Sequence, residues 1–370
     1  MKHLLLSGIA VVLLVLPVAA GSDAPVEIPT EVPTEVPTEI PNIRPPVSSF
    51  RVPEQMSLCG EQVPLERMDV KERLEREFYY LLDRQGLLVT YIKRAARCDP
   101  IIEVILEMEE LPEDLKYVPV AESELASRAR SSASAVGYWQ FIEGTAERYG
   151  LKVNGYIDER RDLTRSTMAA AAYLKDLYEM FGSWPLAFAG YNWGERNVKR
   201  AIKAQGASSY YDLYLPMETE RYVFRILALK LIMEQPETYS IHVPEDERYR
   251  LPKVMEVDIA SETPISIDIL ANCANVGART IRGLNPWMRR NVLPGGQYLI
   301  AVPTEQADGY ADRVAKRLTK RRKVVHTIKR GENLSIIASK YNVTVRSIEK
   351  WNKISRRKPI HFGQKLTIWQ

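Results

Sequence analysis

Between residues 65 and 240 the apolar side chains return at spacings of three and four, a period that a helix can bury on one face and a strand cannot. Leu74, Phe78, Leu81 and Leu82 set that rhythm within a helical stretch running from Leu65 to about Leu111. A second stripe comprises Ala170, Tyr173, Leu174, Leu177, Tyr178 and Phe181, with Thr164 or Ser166 available to cap it and Gly182 just past its end. A third, from roughly Thr219 to Met233, carries Val223, Ile226, Leu227 and Leu231 before Pro236 stops it. Such stripes must bury against one another, so the segment is expected to form one α-rich domain.

Beyond Pro244 the texture changes. Short apolar runs, Val254-Met255-Glu256-Val257 and Tyr298-Leu299-Ile300-Ala301-Val302, read as strands around a helical middle. LPGGQYLIAVP at 293–303 is echoed by HFGQKLTIW at 361–369, each preceded by a helical segment ending near an asparagine, Asn285 and Asn352, which makes a candidate internal repeat. At the other end, Lys2 and His3 precede an apolar run from Leu4 to Ala20 that closes on Val18-Ala19-Ala20. This reads as a secretory signal, expected to be cleaved rather than kept as an anchor, because the run is near the lower limit for a bilayer span. The first cysteine is Cys59, so a lipid anchor at the processed N-terminus has no acceptor. Residues 26–41, VEIPTEVPTEVPTEIP, repeat proline every few residues and are expected to form an extended spacer.

Length and composition fit this plan: 370 residues, 45% hydrophobic and 26% charged, suffice for two or three packed modules. Three cysteines in an oxidising compartment allow at most one internal pair, and Cys59 with Cys98 is the expected one. Neither the cysteines nor the histidines at 3, 242, 326 and 361 have metal-ligand spacing, so no metal and no cofactor is expected. The net charge of +4 is mild, with basic residues gathered at Lys316, Arg317, Lys320, Arg321, Arg322 and Lys323. Export argues against nucleic acid as their partner; they read as a solvated linker, with attraction to the carboxylates of an anionic wall polymer as the functional alternative.

The chemistry concentrates in YVPVAESELASRARSSASAVGYWQFIEGTAERYGL, from Tyr117 to Leu151. Glu122-Ser123, Gly137-Tyr138-Trp139-Gln140, the Asp158-Glu159-Arg160-Arg161-Asp162 run, Gly190-Tyr191-Asn192-Trp193-Gly194 and Glu218-Thr219-Glu220-Arg221-Tyr222-Val223 follow one another. In that order they resemble the lysozyme-like catalytic domain of family 1 lytic transglycosylases, especially the membrane-bound lytic murein transglycosylase D type. The resemblance implies cleavage of the β-1,4 bond between N-acetylmuramic acid and N-acetylglucosamine, with Glu122 as acid and then base and a 1,6-anhydro product. It makes Tyr191 and Tyr222 hydroxyl donors near Glu122, and Ser123, Gln140 and Asn192 substrate-binding residues. Trp139 and Trp193 either stack on sugar or pack in the core. Trp139, where relatives often carry methionine, and Trp193 before Gly194 depart from the usual wording.

A carboxyl that keeps its proton near neutrality needs an apolar surround, which Tyr138, Trp139, Tyr191 and Tyr222 could supply. Ordinary glycosidases add a second carboxylate, about 5 Å away in retaining enzymes and roughly 6.5 to 9.5 Å in inverting ones. Glu124, Glu143 and Asp158 are the candidates for it, and none is expected to serve, because an internal hydroxyl replaces that group. The Asp158–Asp162 run reads as a salt-bridged turn. Leu115, Val118 and Glu122 share a face if the helix is continuous, unless Pro119 opens a new one.

From Val324 to Trp369 the sequence resembles a LysM domain, with a βααβ order and a groove for glycan N-acetyl groups. That resemblance places Gly331, Asn333 and Leu334 on one wall of the groove and Ile360 and His361 on the other. The expected chain is thus mainly α: signal peptide 1–20, spacer 21–50, lysozyme-like domain with an N-terminal helical extension 51–245, degenerate LysM-like module 250–304, basic linker 305–323 and LysM domain 324–370. Its expected setting is the periplasm or cell envelope and its partner the glycan strands of peptidoglycan, with peripheral envelope association and an oligomeric state the sequence does not fix. A hydrolytic muramidase and a non-catalytic wall-binding scaffold are the competing readings.

Overall fold

The computed structural model describes residues 45–319, 323–354 and 360–369. The signal segment and nearly all of the spacer lie outside the described residues. Three separate hydrophobic cores organise what is described.

The first and largest belongs to the helical body. A short hairpin, β1 (Ser57–Leu58) and β2 (Glu61–Gln62), leads into α1 (Met68–Leu82), α2 (Gln85–Met108), α3 (Tyr117–Ser123) and α4 (Glu143–Arg148). Then come α5 (Leu163–Phe181), α6 (Trp184–Trp193), α7 (Glu195–Gln205) and α8 (Met217–Glu234). The apolar stripe of α1, Leu74, Phe78, Leu81 and Leu82, is buried against the Val223, Ile226 and Leu227 face of α8. Each such side chain removed from water contributes roughly 1.5–3 kcal/mol. The buried Glu77 of α1 is bridged to Arg221 of α8 at 2.7 Å, which fixes the register of the pair.

Local chemistry sets the helix ends. Asp162 caps α5 by accepting from the Arg165 amide at 2.9 Å. The expected caps Thr164 and Ser166 instead lie inside the helix, because Asp162 stands three residues before the first amide that needs an acceptor. Gly182 ends α5 at φ +65°, as expected.

The second core is built on β3 (Val254–Ser261) and β6 (Gly296–Pro303), antiparallel from Val254↔Pro303 to Ser261↔Gly296. Between them lie β4 (Ile265–Ser266), α9 (Ile267–Cys273), α10 (Ala278–Leu284) and β5 (Val292–Leu293), the two short strands pairing with each other. The third core has the same order in smaller form: β7 (Lys323–Thr327), α12 (Leu334–Lys340), α13 (Val345–Asn352) and β8 (Lys365–Trp369), with β7 and β8 antiparallel.

One asparagine does the same work in both. The Asn285 amide donates to Ile281 O and Ala301 O and accepts from Ala301 N, at 2.8–2.9 Å. The Asn352 amide donates to Ile348 O and Thr367 O and accepts from Thr367 N, at 2.6–2.9 Å. Each clamps the end of the second helix to the last strand.

Three sequence expectations are corrected. Residues 305–319 are no linker: α11 (Tyr310–Thr319) buries Tyr310 and Val314 in the second core, and the Tyr310 hydroxyl donates to Leu270 O at 3.0 Å. Lys316 and Arg317 occupy its last turn, where cations suit the helix dipole; residues 320–322 lie outside the described residues. The folded body also starts before residue 51, since Phe50 packs edge-on against Tyr239 at 5.7 Å and its carbonyl accepts from the Tyr79 hydroxyl. Finally, Cys59, Cys98 and Cys273 are all free thiols. Cys59 sits at the β1–β2 turn, its amide held by Asp114 at 2.6 Å, whereas Cys98 is buried on α2. Among the described residues no helix is long and apolar enough to cross a membrane.

Candidate active site

Glu122 is carried by α3, a helix of two turns that starts where the 3-10 turn Glu113–Lys116 ends. Pro119 lies in its first turn, where a missing amide costs no helical bond. The helix stops immediately after the acid, because Glu124 and Leu125 both take left-handed backbone at φ +56°. Leu125 is buried and holds that conformation in place, at a cost of about 1–3 kcal/mol per residue. The Glu124 carboxylate thereby lies toward Arg94, 3.6 Å away.

The Tyr222 hydroxyl, on α8, donates to Glu122 Oε1 at 2.5 Å. Burial raises the Glu122 carboxyl from its ordinary 4.5 to about 7, against the opposing pull of the Tyr222 hydrogen bond and the Arg225 guanidinium. Glu218 adds a smaller upward push. Burial likewise holds the Tyr191 and Tyr222 phenols above the usual range, with the Glu122 charge adding to it. Arg225 donates to Glu218 at 3.2 Å, forming a charged rim beside the acid.

The remaining expected site residues divide between holding the acid's surroundings and facing them. Ser123 is buried and donates to Tyr138 O at 2.6 Å and Pro119 O at 3.0 Å, joining the acid's helix to the 137–140 turn. Tyr191 donates to Trp139 O at 2.7 Å from the other side of that turn. Gln140, at φ +48°, folds its amide back onto Gly137 O at 2.7 Å. Asn192 accepts from the Thr219 hydroxyl at 2.9 Å, tying α6 to α8. Trp139 is fully buried with its indole N–H on Thr167 Oγ1, which makes it core and not a sugar platform. Trp193 is half-buried against the same core.

Two glycines make the arrangement possible. Gly137 has φ +86°, and a Cβ there would stand 1.7 Å from Arg160 O. A Cβ at Gly190 would meet the Phe181 ring at 2.9 Å, so its absence lets α6 approach α5 with Tyr191 directed at the turn. Behind the turn the Asp158–Arg160 pair is buried, with contacts of 2.8 and 3.0 Å, and Arg160 also donates to Phe141 O at 3.1 Å. Glu143 lies exposed in the first turn of α4. Among the described residues no carboxylate other than Glu122 receives the Tyr222 hydroxyl, and no cluster of three or more His, Cys, Asp or Glu could hold a metal ion.

Sequence reading missed the Glu218–Arg225 rim. Its signal was present: Glu218, Tyr222 and Arg225 recur at four and three along α8 and so share a face.

A family profile described as "Transglycosylase SLT domain" matches residues 99–214, and one described as "LysM domain" matches residues 326–369. The chain carries an SLT transglycosylase domain and a C-terminal LysM domain. Proteins named "Membrane-bound lytic murein transglycosylase D" from Escherichia coli strains K12 and O6:H1 are 34% identical to it over 279 residues, 70% of this chain and 60% of theirs. The chain thus spans less than two thirds of those relatives. The 70 kDa soluble lytic transglycosylase of Escherichia coli overlaps 50% of this chain and 34% of its own, at 17% identity and a TM-score of 0.34.

In the LysM domain, Asn333 caps α12 by accepting from Ile336 N at 2.9 Å, directly after the turn at Gly331. Leu334 and Ile360 are partly buried against the third core. His361 is exposed, its amide held by Gln364 at 3.1 Å. The 361–364 turn bonds back to Ile328, three residues before Gly331.

Proposed function

We propose that the protein is a peptidoglycan lytic transglycosylase in which Glu122 acts first as acid and then as base, delivered to cell-wall glycan by its LysM domain. The observation that carries this is the half-buried Glu122 with a carboxyl near 7 and a Tyr222 hydroxyl on Oε1. With Oε1 engaged as acceptor, the acidic proton resides on Oε2. That proton passes to the glycosidic oxygen as the bond to C1 of N-acetylmuramic acid breaks, and N-acetylglucosamine leaves as an alcohol. The carboxylate then takes the proton of the muramoyl C6 hydroxyl while that oxygen bonds to C1. The product is a 1,6-anhydro end, no water is consumed, and Glu122 is left protonated for the next turnover.

Ser123, Gln140, Tyr191 and Asn192 serve in this reading chiefly to hold the wall of the cleft. Gly331, Asn333, Leu334, Ile360 and His361 serve as the LysM glycan groove. A weak glycan grip on the same chain raises the local concentration of polymer at the acid. The relatives' names favour the cell envelope as the site of action.

Digestion of purified sacculi followed by mass spectrometry tests the proposal. Wild type yields ends lighter by one water than hydrolytic ends, and Glu122→Gln yields none. Reducing ends from wild type would establish a muramidase instead, and absence of product from both would leave a binding scaffold.

A further inference from the structure

Three backbone segments of this chain stack on one another beside the active-site turn, and each brings arginine. The loop 128–130 lies on the turn through Gly137 N, which donates to Ala129 O at 3.0 Å. Gly137 in turn abuts the Arg160 carbonyl. The segment 154–158, leading into Arg160 and Arg161, is stitched to 287–289 of the middle module. There Asp158 N donates to Trp287 O and Arg289 N to Tyr156 O, both at 2.8 Å, and Arg289 Nη1 donates to Asn154 O at 2.7 Å.

This stacking leaves positive charge unbalanced. Asp158 is committed to Arg160, and Arg161 Nε stands 3.6 Å from it, buried and without a hydrogen-bond acceptor. Burial works against the Arg161 charge first, Asp158 attracts it, and Arg289, Arg160 and Arg128 repel it. Arg128, Arg289 and Arg290 are exposed. From Arg289 and Arg290 the basic strip opens into a groove of about 540 Å³ against the LysM helices, lined also by Ser339, Asn342 and Thr344, with Asn342 donating to Asp268 at its border.

We propose that Arg128, Arg161, Arg289 and Arg290 form a carboxylate-binding subsite that recognises the peptide stems of peptidoglycan while the glycan occupies the cleft. This rests on the cell-wall reading above and extends it to substrate choice. Guanidinium groups suit carboxylates because each can donate two parallel hydrogen bonds, and a charge already crowded by like charges gains most from an incoming anion. Arg128 lies in the loop that follows the helix of Glu122, and that loop is bonded to the 137–140 turn through Ala129 O, so the strip begins on the segment that joins the two.

The test compares turnover of peptide-bearing glycan with turnover of the same glycan stripped by an amidase, for wild type and Arg128→Gln. Arg128→Gln removes an exposed side chain, so its fold is not at risk. The expected result is a rise of about tenfold in KM on peptide-bearing glycan, unchanged kcat, and unchanged kinetics on stripped glycan. Equal losses on both substrates, or none on either, would overturn the proposal. If wild type cleaves neither substrate, the cell-wall reading has failed. Calorimetric titration of amidase-released stem peptide into wild type and Arg128→Gln then tests the subsite by itself, and equal binding by the two overturns it.

Discussion

Replacing Glu122 by glutamine should stabilise the protein while abolishing its chemistry, and the stabilisation should depend on pH. In the unfolded chain the carboxyl ionises around 4.5; in the fold burial holds it protonated to about 7. Below pH 4.5 both states keep the proton and Glu122 contributes no slope. Between 4.5 and 7 the unfolded chain releases a proton that the folded chain retains, so wild-type stability falls as pH rises. Above about 7 both states are ionised and the loss is complete.

At about 1.4 kcal/mol per pH unit, the interval from 4.5 to about 7 amounts to ~3 kcal/mol. Water reaching the half-buried carboxylate trims this to roughly 2–3 kcal/mol. Glutamine presents a carbonyl oxygen to the Tyr222 hydroxyl but nothing to ionise, so it escapes the penalty. Calorimetric melting of both proteins from pH 4 to 8.5, following the transition of the helical body, should give curves that run together at pH 4. By pH 7.5 they should separate by about 5–10 °C in favour of the variant. A separation constant across that range would show that the carboxyl is not held protonated, and the acid role would lose its physical basis.

Tyr222→Phe removes the hydrogen bond that favours the ionised carboxylate, so the alkaline limb of the pH–rate profile should move to higher pH and kcat should fall about tenfold to hundredfold; an unmoved limb would refute the coupling. Gly137→Ala would place a methyl on the Arg160 carbonyl at a left-handed position, costing at least ~2 kcal/mol in denaturant unfolding, and a change under about 0.5 kcal/mol would contradict the packing. Asn352→Ala deletes three hydrogen bonds from a module with little core to spare, costing about 2–3 kcal/mol. Its cosedimentation with sacculi should disappear while cleavage of short soluble glycan survives.

What the sequence made legible follows from the range of the forces involved. Helices α1, α5 and α8 announced themselves because an apolar stripe repeats within a few residues. Glu122 stood out through its ordered motifs, and the fold holds it half-buried beside Tyr222. The bonds from Ser123 to Tyr138 O and from Tyr191 to Trp139 O span 15 and 52 residues, and no local period encodes them. A buried serine bonded to carbonyls and a serine facing a ligand are spelled alike. The Glu218–Arg225 rim was written at helical spacing, yet α8 is buried on so much of its circumference that the apolar stripe hid the polar one. Asp162 was overlooked as a cap because Thr164 and Ser166, equally good formers, lay nearby.

The echo between 293–303 and 361–369 proves most informative where the two copies differ. Their shared asparagine clamp shows that α10 with β6 and α13 with β8 occupy equivalent places. The connection after α13 holds Ile360 and His361, the segment proposed above as one wall of the glycan groove. The equivalent connection after α10 contains Trp287, Met288 and Arg289, and it is hydrogen-bonded along 154–158 of the helical body, with Ile157 packed against the second core. Arg165 of α5 also lies 3.5 Å from Glu256 on β3. Any glycan seeking that edge of the middle module would have to displace these backbone bonds and expose Ile157. The bonds lead through Asp158 and Arg160 to the turn beside Glu122. The same small architecture is therefore used once with His361 exposed at that connection and once with the connection spent on bracing the turn beside Glu122.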